Sequence, residues 1–234
     1  MHKRPVFFAL TFVVTVVLGV PAVGAAQDAV DAHIAAVGGA ERLAALQSMD
    51  RVGRATVVTA AGTFRGSYRE TYDLVGDRGA TTLRTDVFFT RTGWEGEAGW
   101  RDHSLQGFSE MDAPTLALAK MSSTPSVVAS VIREYGRAAL QPLEECSYEG
   151  QACDVFRFVG SPVEILVSRE HHRVLSIVVP DVMAYHFADY EEVDGIWLPG
   201  QTTLQVPAQG LTVRYEYGKT TFDGKLKDRL FKRP

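Results

Sequence analysis

Cysteine is nearly absent: Cys146 and Cys153 are the only two in 234 residues. That is too few for a disulfide scaffold or a thiolate-built zinc site, which needs four ligands at fitting spacing. Histidine is scarce, and His171-His172 falls in a turn where neighbouring side chains point apart, so no metal site is expected. The sequence has no nucleophile elbow, phosphate loop, dinucleotide fingerprint or HExxH. Without a convincing acid–base pair either, we expect no catalytic residues, no cofactor and no enzyme activity. Basic residues are in deficit, 24 Lys and Arg against 28 Asp and Glu for a net charge of −4, which argues against a nucleic-acid partner. No low-complexity linker or tandem repeat divides the chain.

Long apolar runs are missing except at the start. His2, Lys3 and Arg4 precede an apolar stretch from Val6 to Val20, and small residues follow from Pro21 to Ala26. The stretch is short for a bilayer span, which takes about 20 residues. Residues 1–26 therefore read as a secretory signal peptide, cleaved between Gly24 and Ala26. No cysteine lies near that point, which excludes lipid anchoring. The expected product is a soluble periplasmic protein, residues 27–234, forming one domain. Cleavage removes two basic residues and no acids, leaving 22 basic against 28 acidic side chains.

Along the mature chain, Gln27 to Gln47 carries helical periodicity through Val30, Ile34 and Val37, interrupted by Gly38-Gly39. From Arg51 the period switches to strand. Phe64, Tyr68, Tyr72 and Leu74 share one face, while Arg65, Ser67, Arg69, Thr71 and Asp73 share the other. In a third strand Leu83, Val87 and Phe89 share a face opposite Arg84 and Asp86. One apolar face and one charged face predict a sheet with a single wet side. Trp94 and Trp100 read as an aromatic pair across a hairpin. Asp112-Ala113-Pro114 opens a helix to about Met121, and Thr124-Pro125 opens a second through Val128, Val131, Ile132 and Tyr135. Two short apolar helices inserted in a meander predict a cover over the sheet.

Strands resume from Ala138 to Tyr217. A turn at Glu149-Gly150 places Cys146 opposite Cys153, within reach of a disulfide, and export favours its oxidation. Asp194-Gly195 is a hairpin signal, because both positions tolerate the positive φ of a type I′ turn. The tail from Thr220 to Pro234 reads as solvated.

These pieces, taken in order, resemble the LolA-like carriers, which include periplasmic outer-membrane lipoprotein-sorting proteins. The carrying segments are IAAVGGAERLAALQSM, GWEGEAGW, LEECSYEGQACDVFRF, SREHHRVLSIVV, YEEVDGIWLPGQTTLQV and FDGKLKDRLFKRP. The resemblance implies a mainly β fold, an incomplete antiparallel barrel of about 10–11 strands. Its concave apolar face would hold acyl chains beneath the N-terminal helix and two mid-chain helices. It also implies an interior arginine that holds the lid closed. Arg65 and Arg69 alternate onto the charged face, so neither takes that role.

The expected cavity lining is Phe64, Tyr68, Tyr72, Leu74, Leu83, Val87 and Phe89 from the strands, with Val128, Val131 and Ile132 from the lid. The implied function is carriage of a hydrophobic ligand, a lipid or a lipoprotein's acyl chains, by a monomer that exchanges it with a donor or acceptor protein at the inner or outer membrane. The alternative is a lipid- or lipoprotein-sensing module acting through a protein partner.

Overall fold

The computed structural model describes residues 23–121, 128, 139–143 and 145–234. Residues 1–22 of the expected signal segment, and all of the second mid-chain helix except Val128, lie outside them. Three helices are described: α1 (Val23–Ala36), α2 (Ala40–Ala45) and α3 (Ala113–Met121). The N-terminal half of the sheet comprises β1 (Ser48–Thr59), β2 (Gly62–Asp73), β3 (Arg78–Thr85), β4 (Phe89–Glu95), β5 (Ala98–His103) and β6 (Gly107–Glu110). After α3 come β7 (Leu140–Pro142), β8 (Cys146–Tyr148), β9 (Gln151–Phe158), β10 (Glu164–Ser168) and β11 (Val174–Val179). The last three are β12 (Met183–Val193), β13 (Ile196–Val206) and β14 (Leu211–Phe222).

All fourteen described strands belong to one antiparallel sheet, ordered β6-β5-β4-β3-β2-β1-β14-β13-β12-β11-β10-β9-β7, with β8 on β9. Its two edges do not meet, so the barrel is incomplete. The count exceeds the expected 10–11 because the short strands β6, β7 and β8 also pair. Long central strands twist and curl the sheet, and one kink is visible: Asp189, at φ 53°, lies across from Gly200. A Cβ on Gly200 would come within 2.4 Å of the Asp189 carbonyl oxygen.

Successive hairpins turn at alternate rims. One rim holds turns 60–61, 86–88, 104–106, 159–163, 180–182 and 207–210; the other holds 74–77, 96–97, 149–150, 169–173 and 194–195. Each described helix is tied to the second rim. The Val37 carbonyl after α1 accepts from Trp197 N–H at 3.1 Å, Arg42 of α2 reaches the Asp194 carbonyl, and Lys120 of α3 binds Asp77 at 2.8 Å. We call this the helix rim and the other the open rim.

Three apolar clusters share the concave side. Val30 and Val128 pack with Phe156, Ile165, Val167 and Ile177. Leu46 and Leu116 bring α2 and α3 onto Met49, Tyr72, Trp94, Ile196 and Leu198. The third, around Ala55, Val57 and Val213, receives no side chain from a described helix.

Three local expectations need correction. The third strand is not continuous through Phe89, because the Thr85 side chain accepts from the N–H groups of Val87 and Phe88 and turns the chain there. Trp94 and Trp100 do not pair. Each stands opposite a glycine, Trp94 with Gly99 and Trp100 with Gly93, so they occupy opposite faces. Trp94 instead stacks on Tyr72 at 5.7 Å. The C-terminal segment is not wholly solvated: Phe231 is buried beneath the Arg78 guanidinium, and Arg233 bonds Glu110 at 2.7 Å. The two cysteine hairpin strands do pair as expected, and Cys146–Cys153 is a disulfide with Cα atoms 5.0 Å apart.

Candidate functional site: an aromatic concavity

The concave face encloses a cavity of about 950 Å³, near the upper end of the roughly 300–1,000 Å³ typical of small-molecule sites. Strand alternation builds its wall. From β2 come Phe64, Tyr68, Glu70 and Tyr72; from β3, Thr81 and Leu83; from β4 and β5, Thr90, Thr92, Trp94, Arg101 and His103. Tyr185, Phe187 and Tyr190 of β12 face them, with Leu198, Thr202 and Leu204 of β13 and Val213, Tyr215 and Tyr217 of β14.

The expected lining residues divide. Phe64, Tyr68, Tyr72, Leu83 and Val87 all border the cavity. Leu74 lies just past β2 and packs on the cluster under α2 and α3. Phe89 is opposite Arg84 in the β3–β4 register, hence on the outer face, because the Thr85 turn resets the alternation. Val128 is fully buried in the cluster with Val30 and Phe156 rather than bordering the cavity. Val131 and Ile132 lie outside the described residues.

Three charged side chains absent from the expected lining sit in the wall, Arg51, Glu70 and Arg101, and the first two pair with each other. Arg51 and Glu70 are only 3% and 5% exposed and form an ion pair at 3.3 Å. Arg51 also donates to the Pro199 carbonyl at 2.6 Å and to Thr220 Oγ1 at 3.2 Å, with its guanidinium 3.4 Å from the Tyr217 ring centre. Glu70 accepts from the hydroxyls of Tyr68 at 3.0 Å and Tyr72 at 3.3 Å. Burial, followed by the Glu70 charge, pushes the phenols of Tyr68, Tyr72 and Tyr217 well above their usual range. They therefore stay protonated donors. This network ties β1, β2, β13 and β14 together and leaves its charges matched.

His33 of α1 closes the helix end of the cavity. Its Nδ1 donates to the His172 carbonyl at 2.6 Å, and burial lowers its pKa to about 4. The imidazole is neutral at pH 7. Among the described residues no cluster of three or more His, Cys, Asp or Glu could hold a metal ion.

No described protein family matches the sequence, and neither does any curated protein. Solved structures do match in fold. A DUF1329 family protein from Desulfovibrio piger has a TM-score of 0.55 at 12% identity, covering 88% of this chain and 97% of that one. A domain described as outer-membrane lipoprotein-sorting, from Vibrio parahaemolyticus, scores 0.56 at 12% identity with the same coverage. A LolA superfamily protein from Nitrosomonas europaea scores 0.54 at 10% identity, over 89% of this chain and 97% of that one.

Proposed function

We propose that this chain, LolA-like in fold, is a periplasmic carrier that holds a hydrophobic ligand in its concavity and performs no chemistry on it. The supporting observation is the cavity: about 950 Å³ of space walled by aromatic and aliphatic side chains, with a helical cover at one rim. Such a wall lowers the free energy of an acyl chain by about 0.8 kcal/mol for each methylene removed from water. The buried charged pair in the wall is engaged in holding strands together, with Arg51 on Glu70 and Pro199. This suits a binding role better than a catalytic one. Carriage through the periplasm follows from the signal-like segment at residues 1–26, and the cargo class is a lipid or the acyl part of a lipoprotein.

The test is direct. Protein isolated from its own periplasm is analysed by native mass spectrometry, then delipidated and titrated with a fluorescent fatty-acid probe. A co-purified lipid and saturable probe binding are expected. An empty protein that also ignores the probe after delipidation would sink the carrier reading.

A further inference from the structure

The two rims differ in charge. Each of the five helix-rim turns contains an acidic residue, Asp77, Glu97, Glu149, Glu170 and Asp194, and their only basic residues other than histidine are Arg169 and Arg173 of a single turn. The six open-rim turns contain only two charged residues in all, Asp86 and Asp181. In their place the open rim presents isolated aliphatic side chains to solvent: Leu105 at 72% exposure, Val87 at 60%, Val159 at 54% and Val182 at 50%. Arginines stand behind four of the six open-rim turns, those of Val87 and Leu105 among them. Arg65, Arg84, Arg101 and Arg214 each lie within three residue pairs of the last pair before an open-rim turn, so within about 10 Å of it at strand spacing. None of the four is in an ion pair among the described residues. The same band also holds Asp102, Glu110, Asp154 and Glu164, but Glu110, Asp154 and Glu164 are engaged by Arg233, Arg169 and Arg157. In a chain that is acidic as a whole, at −4, the four arginines here therefore face Asp86, Asp102 and Asp181.

We propose that the open rim is a membrane-docking face, with Val87, Leu105, Val159 and Val182 entering the interfacial layer while the four arginines meet anionic lipid phosphates. Small aliphatic tips with unpaired arginines on the same rim match the layering of a bilayer surface, apolar beyond and phosphate just above, with long basic side chains spanning the boundary. A protein partner would call for a packed central anchor of aromatic residues, and the tips here are separate aliphatics on different hairpins. The acidic helix rim would be repelled by the same surface, so the field also sets orientation. The cavity is bordered at this rim by Ala61, Val87, Leu105 and Gln209, so docking places its mouth against the lipid. This inference goes beyond the carrier reading, and its test separates the two.

Purified protein is floated with vesicles of phosphatidylcholine, with or without phosphatidylglycerol. Co-flotation with the anionic vesicles is expected, reversed by high salt. Val159→Glu with Val182→Glu, neither bordering the cavity, should lower the bound fraction at least about tenfold. Val75→Glu, at 76% exposure more open than either valine but on the helix rim, should leave it unchanged. Arg65→Gln with Arg84→Gln and Arg214→Gln should remove the preference for phosphatidylglycerol, and gives a second reading should the valine variant fail to fold. Binding of a neutral apolar dye in solution, unchanged in the valine variant, shows that fold and cavity are intact. Wild-type protein that floats with neither vesicle, or a valine variant that floats as well as wild type, overturns the proposal. Loss of flotation in Val75→Glu to the same degree overturns it too. A wild type that floats but takes up no dye keeps the docking face and removes the carrier.

Discussion

Glu70 accepts three hydrogen bonds inside an apolar wall, from Arg51, Tyr68 and Tyr72. Replacing it with Gln would leave the Arg51 charge buried without its counter-ion, at a cost of about 3–5 kcal/mol. Urea unfolding should show that loss, while the double variant Arg51→Met with Glu70→Leu should lose less than the single one, since no orphan charge remains. His33 gives a second prediction. Its folded pKa is about 4, below its unfolded value near 6.5. As pH falls, the unfolded chain takes up a proton first. The His33 contribution is therefore complete above about pH 6.5 and lost progressively towards pH 4, up to about 3 kcal/mol. His33→Gln should flatten stability across that window. At this scale the sequence was partly legible. Phe64, Tyr68 and Tyr72 follow the strand alternation, and the same alternation puts Glu70 among them. A charge on an apolar face contradicts composition, and only the partner strand carrying Arg51 explains it. That partner is 19 residues away.

Hairpins were the most legible elements because their register is local. Asp194 and Gly195 take φ of 49° and 79°, with Val193 opposite Ile196. Glu149 and Gly150 do likewise at 50° and 83°, which aligns the cysteines. The disulfide closes a loop of sequence separation 7, so the chain-entropy effect is small, about 2–2.5 kcal/mol. Cys146→Ser with Cys153→Ser should lower the unfolding free energy by about that amount while leaving the slope with denaturant little changed. An effect near zero would mean that the β8–β9 hairpin holds without its bond. The Thr85 turn was not legible, since it contains neither glycine nor proline and is made by a threonine side chain. The Trp94 and Trp100 faces depend on strand register too, and a spacing of six residues across a turn did not reveal it.

For the whole molecule, the open half-barrel could be anticipated from alternation and from the order of its segments, whereas the division between packed core and open cavity could not. Both zones are lined by the same residue types. What separates them is where the helices land: α1, α2 and α3 are each pinned to a helix-rim turn, so clusters near that rim are filled and the wall around Val213 is not. Ile165 and Leu83 test this difference. Ile165 is fully buried among Val128, Phe156 and Ile177, and Ile165→Ala should cost about 2–5 kcal/mol through the void it leaves. Leu83 borders space that is already open, so Leu83→Ala creates little new void, and its cost in ligand-free protein should stay near the transfer term, about 1.5–3 kcal/mol or less. Its effect should appear in binding instead. Ligand stabilises the fold according to its affinity, so a fluorescent fatty acid should raise the melting temperature of wild type and of Ile165→Ala, and raise that of Leu83→Ala less. Equal ligand-free losses for the two variants, with no difference in the ligand-induced shift, would mean that the Leu83 wall is core and that the concavity takes no cargo.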